Sequence, residues 1–189
     1  ITDIQKQLTA AGGGFTTTIR WQPEWRPRLE NNWLNGEVST TGKIGGTNVT
    51  LSLKNEARRN GHWGPEQRFD GNGDLLFVRD EFGAYDADTP RLSAALARTT
   101  ANGNKWNLNL GWQLQALDES VRSLSVQPGF GRVEEDFQFA EDEVNFDIGG
   151  DYELGLGQGR LKLIGLYRFE HSPVVNSFVV DREIGGRSG

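Results

Sequence analysis

The run DGNGDLLFVRDE, residues 70–81, sets oxygen ligands where a calcium loop has them: Asp70, Asn72, Asp74 and Glu81 fall at positions 1, 3, 5 and 12. Hard oxygen donors at those spacings wrap a hard cation. Position 6 of such a loop is the Gly of its sharp turn; here it is Leu75, and no helical pattern flanks the run. The competing reading is a hairpin whose Gly residues supply positive φ, with Leu75, Leu76 and Phe77 continuing as a strand. A second candidate is His171–Ser172, a hydroxyl beside an imidazole. A nucleophile needs a base and a third group that orients it, and the other imidazole, His62, lies in a different segment. The set is incomplete, and no enzyme is expected. GLGQG at 155–159 lacks the strand-to-helix context and spacing of a phosphate cradle and reads as a turn. NVT at 48–50 has glycosylation spacing but lies at an expected strand start.

Composition narrows the field further. The chain has 189 residues, net charge -6 and no cysteine, which removes disulfides, zinc thiolates and thiol nucleophiles. Lys and Arg are scattered, so nucleic acid is not an expected partner, and nothing calls for a cofactor. The chain starts at Ile1 and contains no Met, as expected of a processed protein or a piece of a longer one. No run of 18 apolar residues would make a membrane helix, but strands can cross a bilayer with half their residues polar.

The elements that must position these residues are strands. Period-two alternation runs through 14–25, 33–43, 48–59, 90–100, 105–117, 142–154 and 160–171. Each has roughly 11 to 13 residues, against about 5 or 6 for a globular strand and about 9 to 11 for a tilted membrane strand. In "KWNLNLGWQLQAL" (105–117) the apolar register is Trp106, Leu108, Leu110, Trp112, Leu114 and Ala116. Across all seven segments the only charge in the apolar register is Arg98, near a strand end where it can snorkel. The opposite register carries Arg20, Glu24, Glu37, Lys54, Glu56, Arg58, Asp147, Asp151, Arg168 and Glu170, expected to face a lumen. A charge on a lipid face costs about 2–4 kcal/mol at the bilayer midplane, so lipid would impose this segregation.

A soluble sandwich or ligand-binding barrel also alternates, with its apolar face inward. Three features favour the membrane. Short Gly-rich turns at 44–47, 101–104 and 155–159 alternate with long, polar, acidic connections at 60–89 and 118–141, expected as outer loops. Trp25, Trp33, Trp106, Tyr152 and Tyr167 fall near segment ends, as two interfacial girdles require. A small soluble interior would also have to bury Trp21, Trp106 and Trp112 and find partners for their indole N–H groups. The expected fold is all-β, a transmembrane antiparallel up-and-down barrel segment of seven strands, or eight if 172–181 starts another. The polar end, DREIGGRSG, would leave an unpaired edge in lipid, so the segment is expected to belong to a larger barrel.

WQPEWRPRLENNWLNGEVS (21–39) and GGDYELGLGQGRLKLIGLYRFEHSP (149–173) resemble the early barrel of TonB-dependent outer-membrane receptors, particularly an alphaproteobacterial group. ITDI at 1–4 is similar to the segment where the plug hands over to the first barrel strand, which makes 1–13 a linker and 14–189 partial barrel. The resemblance implies a 22-stranded barrel around a plug, in the outer membrane of a Gram-negative bacterium, contacting lipid and lipopolysaccharide. It implies uptake of a scarce nutrient such as a ferric siderophore, a cobalamin or an oligosaccharide, driven by the inner-membrane TonB complex. The chain departs from the pattern by lacking a plug, a TonB box and most of the barrel. A structural or accessory component of a multi-chain outer-membrane complex, contacting other outer-membrane chains, is the alternative; a soluble ligand-binding barrel is another.

Charges of both signs in the lumen register either contact a plug, set selectivity, or neutralise one another. In the outer connections His62, Trp63, Phe130, Phe137 and Phe139 either stack on a ligand or pack the loops, and the surrounding carboxylates disfavour an anionic ligand.

Overall fold

The computed structural model describes residues 4–9, 14–129 and 131–183. They form strands β1 (Ile4–Thr9), β2 (Thr16–Trp21), β3 (Gly36–Ile44), β4 (Thr47–Phe69), β5 (Leu75–Thr99), β6 (Lys105–Gln127), β7 (Gly131–Leu156), β8 (Gly159–His171) and β9 (Val174–Glu183). The fold is all-β: an antiparallel up-and-down sheet in the order β1 to β8, with β9 pairing β7. Among the described residues it is open, with β1 at one edge and β8 and β9 at the other.

The pairing register carries the sequence pattern into three dimensions. Ile19 stands opposite Val38, Val38 opposite Leu53, and Leu53 opposite Leu92. The row continues through Trp112, Phe146 and Phe169. A slip of one residue at any pair would have flipped a strand's apolar set to the other side. None occurs, so the apolar registers of all seven segments share one face.

That face is the outer one. Leu53 (57% exposed), Leu92 and Trp112 lie open on it, although Val49 and Ala57 are buried there; Ala87, Ser123, Ser125 and Val133 (3% exposed) are buried in the opposite register. Side chains two strands apart meet repeatedly on the polar-register face, where Arg91 of β5 reaches Asp147 of β7 and Arg79 of β5 reaches Glu135 of β7 across β6, as on the concave side of a curved sheet.

Of the expected segment 14–25 only Thr16–Trp21 is strand, and 33–43 is strand only from Gly36; beyond these shortened ends, two regions differ from the sequence expectation. Residues 60–89 and 118–141 are not extended loops: β4 and β5 run 23 and 25 residues with a turn at 70–74, and β6 and β7 run 23 and 26 with a turn at 128–129. At about 3.4 Å per residue, β5 is about 85 Å long, far more than a bilayer needs. The alternation fades there because neither face is buried in anything apolar, so sequence periodicity has nothing to report. The second difference is β9. It runs in the direction of β8, and His171 opposite Val144 and Val174 opposite Glu141 keep a single register along β7. Residues 172–181 therefore extend β8 rather than turn back beside it. The line breaks at Ser172–Pro173, where Pro has no N–H to donate, yet the Pro173 carbonyl still accepts from Asp142 N. Within the segment expected as a linker, Ile4–Thr9 pairs with β2 along Thr16–Trp21.

β3 begins at Gly36, so the chain from 22 to 35 must cover the flank of the longer β4. It does so through a bridge between Glu24 and Asn32 and the hydrogen bond from Gln22 N to Asn35 O. Asn32, 1% exposed, is the anchor: its Nδ2 donates to Ala57 O of β4 and its Oδ1 accepts from Asn35 N. Leu29 then lies against Gly61, where a Cβ would be 2.7 Å from its Cδ2. Asn32→Ala strands a carbonyl and an amide, and is expected to cost about 1–3 kcal/mol. The check is the urea midpoint of the chain refolded in non-ionic micelles, with the exposed neighbour substitution Asn31→Ala leaving it unchanged.

Candidate functional site

The concave face gathers the charges of the polar register into short cross-strand links. Arg20 lies opposite Glu37 at 3.8 Å, and Glu37 also accepts from Ser52. Lys54 pairs with Glu56, two residues along the same strand. Asp151 accepts from Asn107 at 3.0 Å and lies 3.6 Å from Lys162. Asp147 has Arg168 directly opposite on β8, yet its 2.8 Å partner is Arg91, two strands away. Gly111 makes that reach possible, since a Cβ there would be 2.4 Å from Asp147 Oδ1 and 2.5 Å from Arg91 Nη2. Glu24 pairs with Arg26 in the outer turn at 2.6 Å. Among the described residues Arg58, Arg168 and Glu170 have no ion pair, and Arg168 and Glu170 sit on the edge strand.

Beyond the apolar band, the same face carries a network that sequence reading missed because its hub, Arg79, lay in a presumed loop. Arg79 of β5 bonds Glu66 of β4 and Glu135 of β7 as well as Glu81 on its own strand, with Nη1 3.2 Å from Glu135 Oε2. Burial pulls the guanidinium pKa down, but the Glu66 hydrogen bond and the three carboxylates outweigh it and hold the group above its ordinary value. Glu135 also accepts from buried Ser123. His62 lies across Gly83, where a Cβ would be 2.2 Å from Cε1, and its Nε2 is 2.8 Å from Glu81 Oε1. A glycine thus again lets a side chain cross a neighbouring strand.

The expected ligand contacts divide between the two faces. His62 lies in the concave register with Gly83, Val121 and Phe137, and Phe139 lies one row away opposite Glu119. Trp63, one residue on from His62, is convex: it stands opposite Phe82, and the Arg28 guanidinium lies 5.0 Å from its ring centroid. Phe130 lies outside the described residues. A depression of about 260 Å³ opens on the concave side, lined by Asn60, His62, Gly83, Tyr85, Glu119 and Val121.

The calcium-loop residues are not brought together. Asp70 Oδ1 accepts from Asn72 N and Asp74 N, closing a turn that Gly73 completes at φ 90°. Glu81 stands well down β5, bonded to His62 and Arg79. No group of three or more His, Asp or Glu among the described residues is placed to hold a metal ion. DGNGD is a hairpin tip, as the alternative reading has it.

The aromatics expected at the interfaces take these places. Trp106 and Tyr152 stand opposite each other near the Gly-rich turns, with Arg98 flanking Trp106 and Asn104 donating to the Tyr152 hydroxyl. Trp25 and Trp33 are exposed at the opposite end, and Trp21 Nε1 donates to Trp33 O. Tyr167, expected near a segment end, stands instead midway along the apolar band, opposite Ile148 in the row of Leu51, Ala94 and Leu110.

Hydrogen bonds from Asp74 N and Asn72 N hold the Asp70 carboxyl below its ordinary pKa. A depressed carboxyl pKa stabilises the tip above the unfolded-state value and loses that effect as pH falls through the folded one. Amide exchange at Asn72 and Asp74 is therefore expected to accelerate under acid, beyond its intrinsic pH dependence, only below the usual Asp range; Asp70→Asn should abolish the step.

No protein-family model matches this chain, and no curated protein matches it.

Proposed function

We propose that this chain is a segment of a transmembrane β-barrel in a Gram-negative outer membrane, belonging to a TonB-dependent receptor that takes up a scarce nutrient such as a ferric siderophore. One observation carries the membrane reading: the apolar registers of seven strands align on the convex face, and within that band every charge but Arg98 lies on the concave one. A water-soluble barrel would turn the apolar register inward.

The dimensions fit. From Tyr152 to Val144, β7 covers about 27 Å along its own axis, or about 20 Å across a bilayer at a 40–45° tilt, close to the roughly 25 Å apolar height of such barrels. Past that band the convex register turns charged, at Arg59, Asp86 and Asp88. Within it, a groove of about 540 Å³ among Trp21, Trp33, Leu34, Val38, Leu53 and Pro90 offers acyl chains an apolar seat. The open edges and the polar concave wall suit a larger barrel that holds a plug by polar and water-mediated contacts.

Leu110→Arg, in the middle of the convex band, is expected to cost about 2–4 kcal/mol of membrane stability and to block insertion. Asn109→Arg, one residue away on the concave face, should insert normally. Detergent-dependent extraction from outer membranes and quenching of Trp112 by brominated phospholipid read both out. Equal behaviour of the two variants would overturn the membrane reading. Gene deletion under iron limitation is expected to slow uptake of the host's ferric siderophore; unchanged uptake would favour a structural role.

A further inference from the structure

Above the apolar band, one concave row runs Asn60, Tyr85, Glu119, Phe139, Asn176 across β4, β5, β6, β7 and β9. Glu119 therefore stands directly between two aromatic residues, each about 5 Å away between Cβ atoms as directly opposed pairs are. Among the described residues it has neither an ion pair nor a hydrogen bond, whereas the carboxylates around it are occupied. Glu81 is held by His62 and Arg79, Glu141 accepts from Ser172, and Glu143 accepts from Asn145. In the next row Gly83 contributes no side chain, which opens the depression of about 260 Å³ beside Tyr85 and Glu119, with His62 as its far wall.

A carboxylate standing between two aromatic residues matches one ligand chemistry best. The negative face of an aromatic ring attracts a cation, best of all a desolvated organic ammonium whose alkyl groups also bury against it, and the carboxylate supplies the countercharge. A metal ion would need more oxygen donors than converge here. An anion would be repelled by Glu119.

We propose that Tyr85, Glu119 and Phe139 form a binding box for an organic ammonium group carried by the ligand that enters the concave face. The box rests on the reading of that face as the ligand-entry side and deepens it: the ligand is cationic at this point of contact. Asn60 and Asn176, at the two ends of the row, offer amides to polar groups beside the ammonium.

The test is calorimetric titration of the purified chain in non-ionic maltoside micelles with choline, and with 3,3-dimethylbutan-1-ol, its neutral isostere. Choline is expected to bind at least tenfold more tightly than the alcohol. Glu119→Gln should cut choline affinity about tenfold, and Tyr85→Leu or Phe139→Leu several-fold, without moving the unfolding midpoint by more than a small amount. Equal binding of choline and the alcohol by the unaltered chain, undetectable choline binding, or unchanged affinity in Glu119→Gln would each overturn the box. The isostere comparison needs no variant and so stands even if a substitution impairs folding. Failure here with intact membrane insertion would refute the box alone; loss of insertion behaviour with choline binding retained would refute the membrane reading alone.

Discussion

Strand register is the constraint on which the rest of this structure depends. Side chains alternate across a strand, so seven segments with seven apolar sets could have produced many mixed faces. Instead Val38, Leu53, Leu92, Trp112 and Phe146 meet in one row, and Arg20, Glu37 and Lys54 meet on the other side. The short turns enforce it: Ile44 pairs with Thr47 and Leu156 with Gly159 across two-residue links whose glycines take positive φ. Such links fix which residue faces which, leaving little freedom for slippage. Once the faces are sorted, curvature places the apolar one outward, and the location of every charge follows.

The outer parts of the hairpins are held differently. Beyond Pro90, where the β5–β6 ladder skips two residues, the convex register changes from Leu and Trp to Arg59, Asp86 and Asp88. Here there is no continuous apolar face, and strand pairs alone are marginal in water. The concave network around Arg79 substitutes for it. One guanidinium bonds carboxylates on three strands, so ordering a single long side chain serves three contacts, unlike isolated surface pairs whose net worth is about 0–1 kcal/mol. Arg59 plays the matching part on the convex side, where it is nine-tenths buried and donates to Ala87 O and Asp88. Its other neighbour, Asp86, is 3.6 Å away; burial pushes that carboxyl above its ordinary pKa despite the arginine.

The sequence made some of this legible and hid the rest for identifiable reasons. Wherever a bilayer-scale apolar face exists, as in 105–117, alternation located the strand and assigned each residue to its face. In RRNGHWGPEQRF (58–69) there is no such contrast, and a strand of the same geometry read as a loop. Candidate contacts suffered for the same reason: His62 and Trp63 were grouped by adjacency, although adjacency in a strand means opposite faces. Glu119 and Arg79 could not be singled out at all, because their significance comes from residues dozens of positions away. Asn32 is similar: one asparagine among several in ENNWLN, distinguished only by the β4 carbonyl it meets.

Glycine explains why cross-strand chemistry here follows no simple nearest-neighbour rule. In a regular sheet a charged residue pairs with the residue directly opposite, and Asp147 would be expected to choose Arg168. The absent side chain at Gly111 lowers the barrier over β6 and gives Arg91 the shorter path to Asp147. Among the described residues, that leaves Arg168 on the edge strand without an ion pair. At Gly83 the same device lets the His62 ring lie over β5, at the edge of the depression beside Tyr85. Both glycines have ordinary extended backbones, so neither is required by its φ. What each position needs is space, and filling it would redirect the polar contacts of the concave face while leaving the register that made that face intact.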